Sequence, residues 1–429
     1  MHKPNRRHFL AATGAAISVP TLIPSSAFGA NDRLNVGHIG VSGRAGALLQ
    51  YDLTLEQTGL THVVALCDID QRRLAQAAKN LPDVASYFDY REMFQRKDID
   101  AVMIGTPDHL HSVQTVHACE SGKHVYVEKP SSVTIQEGNA MIAAARKHNR
   151  VVQVGSQARS AQPAHQACTY IRNGMLGQVK KVTCWHTLNP TARPNPDTPP
   201  PSERFWDMWQ GPLRWRPHNT NFYPGKFRFI MESGGGVIRD RGAHVFSIIR
   251  WCMDADDQQP VSIEAKGTPP KQGLFDCPVE MEVVYTFKDP DWQVVWSQPG
   301  EHRGSGGFGM VFHGDKDELV VCRDGTRIAA DEKARNFKVP AGGVEVYRMD
   351  KHADYNVNHV EDWVQAIRTG RKPCMHIQAG HNAATMCIIG NLAYLLGRKL
   401  QWDGKKQCFV GDAHANRLLG TPQRHPYHL

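Results

Sequence analysis

The chain has ten cysteines but no Cys-x-x-Cys pair. Most of the ten lie in apolar runs, so they read as buried thiols, not as a disulfide framework or a zinc site. A chain of 429 residues does not need staples. Outside the extreme N-terminus no apolar run is long and clean enough to span a bilayer. No repeat period is present, which excludes solenoids and propellers. A block of one charge is also missing. The formal net charge of +8 is spread along the sequence, and Lys3, Arg6 and Arg7 account for three of it. The nearest thing to a basic run, residues 146–150, reads as an exposed helix end, so nucleic acid is not an expected partner. The sequence does have globular composition, 41% hydrophobic and 21% charged, and length for two or three domains.

The N-terminus reads as an address. Arg6-Arg7-His8-Phe9-Leu10 precede an apolar, small-residue stretch at 11–22, then Pro24 and the small-residue site Ala27-Phe28-Gly29-Ala30. This is the charged, apolar, cleavable order of a signal peptide over residues 1–30. The paired arginines resemble a twin-arginine export signal. The expectation is an exported, periplasmic protein with no stable membrane insertion after export.

Residues 31–155 read as a Rossmann domain. Leu34 to Gly40 form an apolar strand ending in glycine, Val41-Ser42-Gly43-Arg44-Ala45-Gly46 a turn, and Ala47-Leu48-Leu49 the start of a helix. Further strands are expected at 63–67, 101–105 and 124–127, with a helix at 71–80 between the first two. Strands alternating with helices argue for a parallel, doubly wound sheet. The turn after the first strand is where a dinucleotide pyrophosphate sits, with the backbone close and a helix N-terminus facing the phosphates. Gly40, Ser42 and Ala45 occupy the three fingerprint positions, with Gly43, Arg44 and Gly46 interleaved. Asp68, at the end of the second strand, is placed to hold the adenosine ribose hydroxyls and repels a 2′-phosphate. That favours NAD. Arg44 partly offsets the preference, so NADP stays open. The spacing from Gly40 to Asp68 is long, which suggests an insertion at 52–61.

Two further motifs identify a family. Gly105-Thr106-Pro107-Asp108-His109-Leu110-His111 follows the strand at 101–105. Val127-Glu128-Lys129-Pro130 follows the strand at 124–127. Together they resemble the glucose-fructose oxidoreductase / inositol dehydrogenase / MocA (Gfo/Idh/MocA) family. Val154-Gly155-Ser156-Gln157-Ala158-Arg159 is similar to the family's crossover into its second domain. Gly234-Gly235-Gly236 with Asp240 and His244 resembles its substrate-side D-x-x-x-H helix. The resemblance runs over about residues 33–420. It implies a Rossmann domain joined to an α+β domain at 156–429, built on a large, mostly antiparallel sheet whose open face makes dimer contacts. Strand-like runs at 261–266, 280–287, 293–296, 309–313 and 318–322 fit that, as do helices at 359–368 and 380–396. A homo-oligomer, dimer or tetramer, is expected. The resemblance also implies cofactor contacts from Thr106, Pro107, His109, His111, Glu128, Lys129 and Gln157, and a cis bond before Pro130.

The residues permit oxidation of a secondary alcohol, in which a hydroxyl proton leaves as hydride passes to nicotinamide. Lys129 suits a cationic donor to the reacting oxygen, able to share the base role. His244 suits a base of near-neutral pKa, oriented by Asp240 four residues earlier on the same helix face. The pair His109/His111 lies on a loop before a helix at 112–121, capped by Asp108, and is not expected to bind metal. Trp185, His186, Trp206, Trp209, Trp215 and Tyr223 offer aromatic faces to a sugar. The glycine-rich loop 301–308 is expected to be mobile and to border the site. The expected function is an exported NAD(P)-dependent oxidoreductase acting on a sugar, glycoside or polyol, with a tightly bound cofactor. The alternative is a glycoside hydrolase on the same fold, working by oxidation, elimination, hydration and re-reduction. A non-catalytic sugar or nucleotide sensor is a second alternative.

Overall fold

The computed structural model describes residues 33–324 and 327–429, so the expected leader at 1–30 lies outside the described residues. The apolar runs of the first half form a six-stranded, all-parallel sheet in the order β3-β2-β1-β4-β5-β6. Its strands are β1 (Leu34–Ile39), β2 (Thr61–Cys67), β3 (Ala85–Tyr87), β4 (Ala101–Ile104), β5 (His124–Glu128) and β6 (Val152–Gly155). The edge strand β3 is not visible in the sequence pattern, because Ala85 and Tyr87 are only half-buried and Ser86 is exposed. The sheet's crossovers contain α1 (Arg44–Gln57), α2 (Gln71–Ala78), α3 (Tyr90–Phe94), α4 (His111–Glu120) and α5 (Ile135–Lys147). Residues 52–61 are not an insertion. They are mostly the second half of α1, whose fourteen residues account for the long spacing to Asp68. Asp52 is buried in that helix and meets His38 Nε2 of β1 at 2.8 Å.

The second half forms a nine-stranded sheet. Its strands are β7 (Val179–Trp185), β8 (Ser262–Thr268), β9 (Glu280–Phe287), β10 (Trp292–Gln298), β11 (Phe308–Gly314), β12 (Glu318–Asp324), β13 (Arg327–Ala330), β14 (Leu400–Asp403) and β15 (Cys408–Phe409). The order is β13-β12-β11-β7-β10-β9-β8-β14-β15, and only the β7–β10 pair is parallel. Along β9 the buried Met281, Val283, Tyr285 and Phe287 alternate with Glu280, Glu282, Val284 and Thr286, which are exposed or half-buried. This is the period of an antiparallel sheet covered on one face. The covering helices are α6 (Gln162–Arg172), the helix Ile377–Leu396 and one nearer the site. All ten cysteines are free thiols, eight of them buried.

Two features of the second half serve the first. The helix Tyr355–Thr369 lays Val357, Val360, Trp363 and Val364 against Leu34, Val36, Leu48, Met103 and Tyr126. The connection after β7, residues 186–236, holds α7 (Glu203–Gln210) and an aromatic cluster of Trp206, Trp209, Phe222 and Phe227, to which Ile69 at the end of β2 also packs. Trp206 and Trp209 stack at 5.0 Å between ring centroids. Most of these aromatics are therefore core, whereas Trp215 is exposed.

Candidate active site

A cavity of about 470 Å³ opens at the carboxyl edge of the parallel sheet. Its floor is Ile39 to Arg44, Cys67 to Asp70 and Gly105 to Pro107. Its roof comes from the long connection, with Phe205, Trp209, Tyr223 and Arg228. This is the crevice where open parallel sheets bind ligands. The turn that enters it has the geometry of a phosphate cradle. Gly40 has φ +88° and Gly43 φ +57°, conformations that L side chains avoid. A Cβ placed on Gly105 would stand 2.6 Å from Cβ of Ala45. Ala45 at the third fingerprint position, facing a glycine, thus provides the close helix–strand approach. The N-terminus of α1 begins at Arg44, and Arg44 Nη2 is buried with no partner, a donor that a phosphate oxygen would satisfy. The residues present fit a dinucleotide.

At the end of β2, Asp68 accepts hydrogen bonds from the backbone N–H groups of Val41 (3.1 Å) and Asp70 (2.8 Å). Burial pushes its carboxyl up despite these bonds and nearby Arg73. Each carboxylate oxygen still has acceptor capacity for a ribose hydroxyl. The arginine beside Asp68 is Arg73, whose Nη1 donates to Ser42 Oγ at 3.0 Å. Arg44 turns the other way, with Nε donating to Glu128 Oε1 at 2.8 Å. The offset to NAD preference assigned to Arg44 therefore passes to Arg73. Asp68→Asn should weaken NAD by about tenfold, as a charge-assisted bond becomes a neutral one, and should narrow discrimination against NADP. Calorimetric titration with both nucleotides measures this; unchanged affinity for both would remove Asp68 from ribose recognition.

The second group gathers behind one wall of the cavity. Lys129, joined to Pro130 by a cis bond, extends Nζ to the carbonyl and to Oδ1 of Asp240, both at 2.7 Å. Asp240 closes the short helix α8 (Val237–Asp240), and Arg241 separates it from α9 (Gly242–Cys252), which carries His244. Arg241 Nε lies 3.3 Å and Arg228 Nε 3.6 Å from the same carboxylate. Burial alone would raise the Asp240 carboxyl; Lys129, Arg241 and Arg228 outweigh it and hold it well below the usual range. The expected orientation of His244 by Asp240 is not what the structure has, because the break at Arg241 splits the helix and the carboxylate belongs to Lys129. The near-neutral value expected for His244 also fails. Burial, and then Arg323, Lys129, Arg241 and Arg44, push its ring well below the ordinary histidine value. These effects favour the uncharged ring of His244, whose buried Nδ1 has no partner.

Glu128 joins the two groups. It receives Arg44 and the Gln157 amide (2.7 Å) on Oε1, and the Lys129 backbone N–H (3.2 Å) on Oε2. Burial opposes ionisation, but Arg44, Lys129 and Gln157 keep the carboxyl below its usual value. Gln157 also donates to Tyr126 Oη at 2.8 Å. Gln157 thus positions Glu128 and does not line the cavity, whereas Thr106 and Pro107 do line it. His109 and His111 are turned away from the cavity. The His109 ring sits against Trp209 and Phe227 with Nε2 2.8 Å from the Trp209 carbonyl, and burial lowers its pKa to about 3. The two nitrogens of His111 face the carbonyls of Pro130 and Thr106, each at 2.8 Å, tying the β4 loop to the β5 loop. Asp108 does not cap α4. It lies in a 3₁₀ turn preceding it, buried, with Oδ2 unpartnered.

Two family models match along the chain. One, described as an oxidoreductase family with an NAD-binding Rossmann fold, covers residues 34–156. The other, described as the C-terminal alpha/beta domain of an oxidoreductase family, covers 170–318 and 329–429. The chain belongs to the Gfo/Idh/MocA oxidoreductase family. The chain is 28% identical over 212 residues to the 1-carboxy-3-chloro-3,4-dihydroxycyclohexa-1,5-diene dehydrogenase of Comamonas testosteroni, covering 49% of this chain and 46% of that one. It is also 28% identical over 209 residues to a glycosyl hydrolase family 109 protein of Shewanella baltica, covering 42% and 45%. The matched stretch spans about half the length of these curated relatives. Among solved structures, the WlbA dehydrogenase of Bordetella pertussis, in complex with NADH and UDP-GlcNAcA, superposes with a TM-score of 0.63 at 14% identity, over 87% of this chain and 99% of that one. The Gfo/Idh/MocA motifs carried Lys129, Glu128, Asp240 and His244 from sequence. Arg73, Arg228 and Arg241 were missed. The only signal for Arg73 was its place one turn into the helix after Asp68; Arg228 carried none.

Proposed function

We propose that the chain is an NAD(P)-dependent oxidoreductase that acts on a secondary hydroxyl of a sugar, glycoside or polyol after export to the periplasm. The single observation that carries the catalytic reading is the Lys129–Asp240 pair, which reaches the dinucleotide cavity through Arg228, an ion-pair partner of Asp240 that lines it. When bound, the nicotinamide cofactor supplies a hydride acceptor. The other steps fall to the chain. Asp240 fixes Lys129 Nζ, which has three donors and spends two on Asp240, so one is left for the reacting oxygen. His244 offers an unpartnered ring nitrogen to the departing hydroxyl proton. Gly40, Ser42, Gly43, Arg44 and Asp68 hold the nucleotide. Phe205, Trp209 and Tyr223 roof the cavity, which supports a cofactor that stays bound through turnover. The half-exposed face of β9 supports a homodimer or tetramer.

The test is to load the protein with NAD or NADP and supply a panel of sugars, glycosides and p-nitrophenyl glycosides. Nicotinamide absorbance and nitrophenol release are followed together. Net nicotinamide reduction supports the dehydrogenase. Nitrophenol release without net reduction supports redox-neutral glycoside cleavage, a second reading favoured by the likeness to the glycosyl hydrolase family 109 protein. Neither signal would favour a sensor.

The state of His244 adds a pH prediction. A base acts when deprotonated, and a lowered pKa leaves it deprotonated to lower pH. kcat/KM should therefore hold steady from about pH 8 to 6, with no acid limb at the ordinary histidine value of about 6.5. An acid limb there, lost in His244→Gln, would contradict the assignment.

A further inference from the structure

We propose that the substrate is an anionic sugar, one bearing a carboxylate or phosphate, and that Arg228 and Arg241 read its charge. This rests on the reading of the site as one that oxidises a sugar-class hydroxyl.

The argument starts from charge balance at Asp240. Its one carboxylate faces three cations, Lys129, Arg228 and Arg241. Lys129 alone is within hydrogen-bonding distance by its side chain, at 2.7 Å. The two guanidinium Nε atoms stand at 3.6 and 3.3 Å, beyond the usual N–H···O distance of about 2.7–3.2 Å. Lys129 therefore neutralises Asp240, and two guanidinium charges remain. They are also the outermost members of the group: the side chains of Arg228 and Arg241 are 37% and 42% exposed, against 13% and 14% for Lys129 and Asp240. Arg228 lines the cavity.

Both guanidinium groups are braced. Arg228 lies over the Phe227 ring at 4.7 Å and donates to the Gly225 carbonyl at 3.1 Å; Arg241 lies over Phe308 at 5.7 Å. Stacking of this kind leaves the N–H edges of a planar fork for a ligand. A neutral sugar poorly matches such a site. Its hydroxyls need acceptors as well as donors, and arginine donates only. An anion accepts two parallel N–H bonds from each fork and removes the local excess of charge. The nearby acids do not remove it. Glu128 is engaged by Arg44, and Asp108, buried in its 3₁₀ turn, makes no ion pair with either arginine.

The experiment titrates NAD-loaded protein calorimetrically with glucuronate, gluconate, a hexose phosphate and glucose, at low and high salt, and follows nicotinamide reduction in parallel. The anionic sugars should bind about tenfold or more tighter than glucose, a margin that shrinks in salt. Arg228→Gln and Arg241→Gln should each remove most of that margin, and Arg241→Lys should retain part of it. Equal binding of glucose and the acids, or a margin untouched in both Gln variants, would overturn the proposal. Reduction driven equally well by neutral sugars would also overturn it while leaving the oxidoreductase reading intact. Anion-selective binding that depends on both arginines, with no reduction by any sugar, would support the charge-reading role of the arginines and count against net dehydrogenation.

Discussion

Lys129→Ala should lower turnover by about 10²–10⁴-fold and leave nucleotide affinity within a small factor of the parent. The reason lies in how its charge is shared. Lys129 Nζ reaches Asp240 by two bonds of 2.7 Å and does not line the dinucleotide cavity. Removing it does not strand a buried carboxylate, because Arg228 and Arg241 still face Asp240. The large penalty for an uncompensated buried charge is thereby avoided. The loss should fall on kcat, with the thermal midpoint and the calorimetric affinity for NAD nearly unchanged. If stability, affinity and rate all fell together, the lysine would be a structural strut and the proposed chemistry would lose its donor.

Gly105→Ala should have the largest effect on the nucleotide site itself. The added Cβ would lie 2.6 Å from Cβ of Ala45, 2.8 Å from its Cα and 3.3 Å from its nitrogen. Two of these three atoms are backbone, so no rotamer change relieves the clash, and the first turn of α1 must move away from β4. Overpacking of this kind costs about 1–3 kcal/mol. Because that turn presents the helix N-terminus and the Gly40–Gly43 bend to the cavity, NAD affinity should fall by tenfold or more. Adding Ala45→Gly to the variant removes the shortest contact and should restore part of both losses. Unchanged affinity in the single variant would mean that the turn tolerates displacement and is not the phosphate cradle.

What was legible in the sequence was local. The strand-turn-helix at Leu34 to Leu49, the acid at Asp68 and the Glu128-Lys129-Pro130 motif are read from apolar runs, glycine positions and short spacing, and each is formed by neighbours in the chain. The side-chain directions were not legible, since they are set by partners far away. Lys129 meets Asp240 across 111 positions, Arg44 meets Glu128 across 84, and Arg73 meets Ser42 across 31. Helical spacing suggested that Asp240 would face His244, but three cations take the carboxylate, and the helix is interrupted at Arg241. The histidines of the Thr106–His111 loop were assigned to the cofactor by the family resemblance. Burial gave them carbonyl partners first. The long spacing from Gly40 to Asp68 suggested an insertion at 52–61, but the extra length is taken up by α1, whose buried Asp52 meets His38 of the preceding strand.

The helix Tyr355–Thr369 has a consequence for biogenesis. It supplies Val357, Val360, Trp363 and Val364 to the core beneath β1, β4 and β5. During synthesis the ribosome completes that sheet more than two hundred residues before it makes the helix that seals it. The nascent first half must therefore wait with Leu34, Val36 and Tyr126 uncovered, a state that invites chaperones and aggregation. A fragment ending after β6 should inherit the same exposed face and behave as a sticky, partly ordered species, however complete its strand order.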